Sequence, residues 1–402
     1  MIGEDKLKKL IRKTDSKIVM VVMDGVGDVS DDKGLTPLAE AFTPNMDKLA
    51  LESELGLTVP VDIGITPGSG PAHLSLFGYD PLEHEIGRGV LEALGIGINL
   101  SGRDLAARAN FATRTPQGII SDRRAGRIST EENERLCKIL NEKMPVLDGV
   151  SVKIYPGKEH RFVVIFTGDG LEGGLNDADP QEVGKPEKFT EPETPSAEKS
   201  SRIVNQFIKE VQKILKDELP ANTCLVRGIG KSPDISSMGD LFGLKPLAIA
   251  SYPMYKGLSK LVGMDVSEGL SNLEEQTIEL KKKFNDYDFF YYHVKKTDSF
   301  GEDGNRPMKI KVIEEFDALI PDILALKPDV LCISADHSTP AVMKGHSWHP
   351  SPVLIHGSYM RTGQVKGFNE EECLKGSLGR FYAKDLMQLL LSHAGKLDKY
   401  GA

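Results

Sequence analysis

The run Lys17-Ile-Val-Met-Val-Val-Met-Asp24 is apolar without alternation and closes on an acid followed by Gly25-Val-Gly27-Asp28. Too short for a helix and unbroken by polar residues, it predicts a strand buried on both faces that meets a loop. Similar runs at 288–294, 330–336 and 352–355 predict three more buried strands. Helical periodicity follows or separates them at 273–284, 307–326 and 383–393. Residues 6–12 show helical charge patterning, and Thr43-Pro44 reads as a helix start. Strands alternating with helices of this length predict an α/β fold, with a mostly parallel sheet covered by helices on both faces.

The middle of the chain has a different texture. Strand patterns at 105–112 and 161–166 precede an acidic, proline-rich stretch at 169–201. That stretch is expected to be an exposed, partly mobile loop, and a helix is expected at 202–219. The pattern therefore predicts an inserted α+β domain over 100–242. Residues 1–99 and 243–402 then form one discontinuous domain. No repeat of fixed period is present.

A length of 402 residues accommodates two or three domains. Lys+Arg 50 against Asp+Glu 59 gives −9, which argues against a nucleic-acid partner. Cys137, Cys224, Cys332 and Cys373 form no CxxC pair, and are expected to be reduced thiols in a cytoplasmic protein. Residues 1–17 are laced with charge and lack the apolar core of a signal peptide. The apolar run 18–23 is far short of the ~20 residues of a spanning helix. A soluble protein without a membrane partner is expected.

Ligands of open α/β sheets gather at the carboxyl ends of the strands. Asp24 and Asp336-His337 fall at such ends, and Asp298 falls in the loop just after another. Each acid alone also suits a loop or a cap. Together with His346, nine residues beyond His337, they suit a divalent cation. Thr66-Pro-Gly68-Ser69-Gly70-Pro71-Ala-His73 offers a nucleophile. Its glycines permit a tight turn, and Pro71 suits a first helical turn. Ser69 at a helix N-terminus faces free N–H groups that favour an anion, though it could equally serve as an N-cap. With no legible base, such a serine needs a metal to lower its pKa. Neither a dinucleotide fingerprint nor a Walker lysine is present. In the insertion, Asp122-Arg123-Arg124-Ala-Gly126-Arg127 is either a solvated turn or an anion site, and Arg161 and Arg227 are further candidates.

Val22-Met-Asp24-Gly25, Pro67-Gly-Ser69-Gly-Pro-Ala-His73, Thr297-Asp298, Ala335-Asp336-His337-Ser-Thr-Pro340 and Gly345-His346-Ser347 follow the order of the alkaline phosphatase superfamily. Leu76-Phe-Gly-Tyr-Asp-Pro81, Asp122-Arg-Arg-Ala-Gly-Arg127 and Tyr255-Lys-Gly-Leu-Ser-Lys-Leu-Val-Gly-Met264 narrow this further. Over nearly its whole length the chain resembles the archaeal-type 2,3-bisphosphoglycerate-independent phosphoglycerate mutases.

That resemblance implies an alkaline-phosphatase-like fold and interconversion of 3-phosphoglycerate and 2-phosphoglycerate through a phosphoserine, with no added 2,3-bisphosphoglycerate. The alternative is a related phosphomutase or phosphomonoesterase. It implies two divalent metal ions, with manganese expected and cobalt, zinc or magnesium as alternatives. Asp24, Ser69, Asp336 and His337 would hold one. Asp298, His346 and residue 302 would hold the other. Ser69 would carry the phosphoryl group with His73 beside it. Arg123, Arg124, Arg127 and Arg161 would grip the substrate, with Lys256 or Lys260 assisting. The family's Asp-x-x-x-His reads Asp298-Ser-Phe-Gly-Glu302 here, so Glu302, His349 or water would complete that second shell. Two domains closing over the cleft would retain the glycerate while it reorients. Metal identity and homo-oligomerisation stay open.

Overall fold

The computed structural model describes residues 3–401 other than 85 and 234. The chain divides into two compact units, 1–85 with 235–402, and 86–234. In chain order the strands are β1 (Ile18–Met23) and β2 (Glu54–Val59), then β3 (Asp104–Arg114), β4 (Ile120–Asp122), β5 (Ser151–Pro156), β6 (Arg161–Thr167) and β7 (Thr223–Lys231). After them come β8 (Pro246–Ile249), β9 (Asp265–Val266), β10 (Phe289–Val294), β11 (Val330–Ser334), β12 (Ser351–Gly357) and β13 (Gly379–Tyr382).

The discontinuous unit is built on one sheet of order β13-β2-β12-β11-β1-β10-β8-β9. Only β12 runs antiparallel to its neighbours. Every residue of β1, β10 and β11 is buried, as a central strand covered on both faces requires. Val19, Val21 and Met23 enter one core with Phe290, Tyr292, Leu331, Ile333 and the helical residues Ile313 and Phe316. Parallel pairing of β1 with β10 and β11 brings three carboxyl ends side by side. There the chain must turn into loops that carry polar side chains. Among the described residues no helix is long and apolar enough to cross a membrane.

The inserted unit is an antiparallel α+β assembly. β3 pairs β4, β6 and β7, and β5 pairs β6. Helices Thr130–Lys143 and Glu198–Ile214 supply Leu136, Leu140, Val204, Phe207 and Val211 to its own core.

Several expectations shift. The unit starts at 86 rather than 100 because helix Arg88–Gly95 packs directly on β3: a Cβ on Gly89 would meet the Ala107 Cα at 2.4 Å. It ends before helix Met238–Phe242. The stretch 169–201 is not a loose loop. Leu171, Ala178 and Ala197 are buried, and side-chain bonds such as Asn205 Oδ1 accepting from Thr190 N (2.9 Å) satisfy its backbone. Its last residues already belong to the helix expected only from 202. The first helix is confined to Glu4–Lys8. The 307–326 pattern is split into Arg306–Asp317 and Ile320–Leu324, where Pro321 starts a new turn.

Candidate active site

The catalytic candidates meet at the carboxyl ends of β1, β10 and β11. Asp24 follows β1 directly. Gly25 (φ 60°) turns the chain there, where a Cβ would meet Thr339 Oγ1 at 2.4 Å. Ser69 is the first residue of helix Ser69–Leu76, and Gly68 rather than Ser69 takes the N-cap position. Asp298 lies in helix Lys296–Glu302 just after β10, and Asp336-His337 follow β11.

Around His337 Nε2 stand Asp336 Oδ2 (3.0 Å), Ser69 Oγ (3.3 Å) and Asp24 Oδ1 (3.5 Å). The tautomer follows from the neighbours. Thr339 donates its hydroxyl to Asp298 Oδ1 (2.8 Å), so its oxygen accepts from His337 Nδ1–H (3.0 Å). The Nε2 lone pair then faces two carboxylate oxygens. Asp24 Oδ1 and Asp336 Oδ2 are buried without a hydrogen-bond donor among the described residues. An anionic pair and a lone pair aimed at one point fit a cation.

A second group adjoins it. His346 donates Nδ1–H to the Pro67 carbonyl (2.9 Å), which leaves Nε2 facing Asp298 Oδ1 at 3.4 Å. The His337 and His346 rings stack 3.7 Å apart. Two sets, Asp24 with Asp336 and His337, and Asp298 with His337 and His346, each place donor atoms within 4.8 Å of one another. Glu302 Oε1 lies 3.8 Å from His346 Nε2 on a half-exposed side chain, whereas the His349 ring bonds Ser347 Oγ (3.0 Å).

The electrostatics are those of a buried anionic cluster. Burial opposes ionisation of Asp298, but the hydrogen bond from His346 and the charge of Lys295 hold it well below the usual carboxylate range. Burial likewise opposes charge on Asp336, whose Oδ2 lies 3.0 Å from the ring of His73. His73 is fully buried, donates Nδ1–H to the Ser69 carbonyl (3.0 Å) and has its pKa raised against burial by Asp336. Beneath Asp24 lie Tyr255, whose hydroxyl donates to Asp24 Oδ2 (2.6 Å), and His293, whose pKa burial lowers.

The lysine at this cluster is Lys295, which sequence reasoning missed. It sits two residues past His293 at the end of β10, where the rule that singled out Asp24 would also have found it. Lys256 and Lys260 both reach Glu268, at 2.7 and 3.5 Å.

Within the inserted unit the arginines separate. Arg123 makes two bonds to the buried Asp179, at 3.0 and 2.7 Å. Arg124 and Arg127 are exposed and make no ion pair among the described residues. Arg161 sits on β6 opposite Asn110, and Arg108 on β3 stands opposite Arg227 on β7. The period of two puts Arg108, Arg161 and Arg227 on one face of the sheet. Such like-charge neighbours are unfavourable unless anions intervene. Glu92 (3.3 Å from Arg108), Asp177 and Asp179 (each 3.5 Å from Arg227) do so in part. Arg108 was legible only as one charge inside an otherwise small, apolar strand.

Comparison with known proteins agrees with this architecture. The family profile described as 2,3-bisphosphoglycerate-independent phosphoglycerate mutase matches residues 50–222. The chain is 55% identical to a Thermosipho africanus protein named "Probable 2,3-bisphosphoglycerate-independent phosphoglycerate mutase", over the full length of both. It is 52% identical to one of the same name from Aquifex aeolicus, over 99% of this chain and 100% of the relative. Among solved structures it superposes on a Pyrococcus horikoshii protein with a TM-score of 0.81 (32% identity, covering 96% and 99% of the two chains). The cofactor-independent phosphoglycerate mutase of Thermoplasma acidophilum gives 0.74 (31%, covering 94% and 100%).

Fold and site thus define an α/β enzyme with a mostly parallel sheet and an inserted α+β unit. More narrowly, the chain belongs to the 2,3-bisphosphoglycerate-independent phosphoglycerate mutase family and is an isomerase.

Proposed function

We propose that this enzyme interconverts 3-phosphoglycerate and 2-phosphoglycerate through a phosphoserine on Ser69, at a site for two divalent cations. The observation that carries this is the convergence of Ser69 Oγ, Asp24 Oδ1 and Asp336 Oδ2 on the unprotonated Nε2 of His337 at a helix N-terminus. Asp24, Ser69, Asp336 and His337 would hold one cation. Asp298 and His346 would hold the other, with Glu302 in reach. When bound, such cations lower the pKa of a serine hydroxyl and offset the charge of a transferring phosphoryl group.

Ser69 Oγ gives up its proton and attacks phosphorus as the bond from phosphorus to one glycerate oxygen breaks; that oxygen takes up the proton. The other glycerate hydroxyl then attacks the phosphoserine, gives up its proton and restores Ser69. First-turn N–H groups of helix Ser69–Leu76 favour the anionic oxygens. The lysine beside Asp24 and Asp298 adds a fixed positive charge. We assign Arg161, with Arg108 and Arg227 on the same sheet face, to the substrate's carboxylate or phosphate, together with the exposed Arg124 and Arg127. Arg123 instead supports that face through Asp179. Manganese is the expected ion, because carboxylates make up much of the donor set. The four cysteines are free and buried, which supports a reducing, cytoplasmic setting.

The test is a coupled enolase assay on chelator-stripped protein, with manganese, cobalt, zinc and magnesium restored singly and free phosphate followed in parallel. The proposal expects 2-phosphoglycerate formation without added 2,3-bisphosphoglycerate. Release of phosphate in place of isomerisation would make the enzyme a phosphomonoesterase.

A further inference from the structure

Lys309 is fully buried, and its charged partner is Asp28, which closes the turn after β1. It lies in helix Arg306–Asp317. Its Nζ donates to Asp28 Oδ2 (2.8 Å), the Thr339 carbonyl (2.9 Å) and the Gly27 carbonyl (3.3 Å). Three donors thus meet three acceptors, and the ammonium is satisfied. Asp28 Oδ2 also accepts from Ala341 N (3.0 Å), while Asp28 N donates to Glu370 Oε1 (3.0 Å).

Two loops end on this one ammonium. The first carries Asp24 and runs to Asp28. The second carries Asp336 and His337 and runs to Ala341. They touch so closely that a Cβ on Gly27 would meet Ser338 Oγ at 2.2 Å. Thr339 is the link to chemistry. Its carbonyl is held by Lys309, and its hydroxyl fixes both Asp298 Oδ1 and the tautomer of His337. A small rotation of Thr339 therefore disturbs members of both candidate cation sites.

Stability alone is a poor account of such a lysine. Replacing a buried ion pair with well-packed apolar groups is often neutral or favourable. Groups that orient metal ligands, by contrast, change metal affinity roughly ten- to hundredfold when removed.

We infer that Lys309 is a positioning residue: its ammonium fastens the Asp24–Asp28 and Asp336–Ala341 loops in the register that sets the geometry of both cation sites. This rests on the two-cation reading of the site.

The experiment strips the full-length protein with a chelator and titrates cobalt(II) against a chromophoric competitor, recording the visible d–d bands. Lys309→Met is expected to bind cobalt at least tenfold more weakly, with altered band positions, at temperatures where it stays folded. If Lys309→Met does not fold, Asp28→Asn carries the test. It keeps the shape of Asp28 but removes the anion, and the same spectral change with a smaller loss of affinity is expected. A lower Tm with unchanged cobalt affinity and spectrum in the folded variant would make the pair purely structural and overturn the inference. Wild-type protein that binds no cobalt would overturn the two-cation reading and this inference together.

Discussion

The Lys295 ammonium stands 2.9 Å from Asp24 Oδ2 and reaches Asp298 Oδ2 on its other side, so one side chain bridges members of both candidate cation sites. Burial opposes its charge, but the two carboxylates outweigh burial and push its pKa up. Lys295→Met leaves Asp24 and Asp298 without that counter-charge. Breaking a buried pair costs about 3–5 kcal/mol. The chelated variant is expected to lose about that much stability, and added divalent metal to recover most of it. Thermal melts with and without metal check this; an equal loss in both conditions would show that Lys295 does not balance the cluster.

Ser69→Ala removes the proposed nucleophile and little else. The hydroxyl has a long contact, 3.3 Å to His337 Nε2, and no capping role. Turnover is expected to fall by about 10⁴-fold or more, while stability moves by about 0.5 kcal/mol or less. Acid-quenched wild type should yield a peptide phosphorylated at Ser69, and the variant should not. Near-normal turnover in Ser69→Ala would end the phosphoserine mechanism.

The strand-end acids were legible because a buried parallel strand writes itself as an unbroken apolar run, and its last residue marks where ligands sit. Shorter or interrupted strands left no such mark. β8 has four residues, and Arg227 breaks the apolar pattern of β7. The 169–201 stretch misled because its anchors, Leu171, Leu175 and Ala178, lie among glycines and turn formers and enter the core without forming a helix or a strand. The partner of Arg123 lies 56 residues away, a distance at which composition says nothing about pairing. Likewise, the hydroxyl of Thr339 fixes a histidine tautomer only through contacts made in three dimensions.

Arg123 and Arg127, neighbours in sequence, are expected to behave differently. Arg123→Ala strips a two-pronged partner from Asp179, whose side chain is fully buried. Losing hydrogen bonds between charged groups costs about 1.5–3 kcal/mol, so the Tm should fall. Exposed Arg127 should leave the Tm unchanged when truncated and raise KM for phosphoglycerate. Melting curves and steady-state kinetics on the two single variants separate the roles. A raised KM with an unchanged Tm in Arg123→Ala would return Arg123 to the substrate site.

His346 gives the metal-free protein a pH dependence. Burial lowers its pKa, but the Asp298 hydrogen bond and the Pro67 carbonyl raise it to about 9, against 6.5 for a free side chain. A raised folded-state pKa contributes stability that is complete below 6.5 and disappears as pH climbs through about 9. Metal binding has the opposite trend, because the imidazole must lose its proton to become a ligand. Affinity is expected to rise about tenfold per pH unit between 7 and 9. Calorimetric titrations in buffers of different ionisation enthalpy should register the released proton. A pH-independent affinity would mean that His346 is not a ligand.

Glu302 stands four residues after Asp298, where the resemblance implies a histidine. One helical turn beyond Asp298 it shares that residue's face, and its Oε1 stands 3.8 Å from His346 Nε2. Its side chain is 55% exposed, so it can swing inward without breaking a buried contact. A carboxylate adds charge and a hard oxygen donor, which favours manganese or magnesium over zinc. Glu302→His restores a nitrogen donor and removes one negative charge. With direct ligation, the variant should shift its activity and binding preference toward zinc or cobalt while staying active with at least one metal. Competition titrations with each ion, run beside the coupled assay, measure that shift. An unchanged preference would place Glu302 outside the coordination shell and leave His349 or water to complete it.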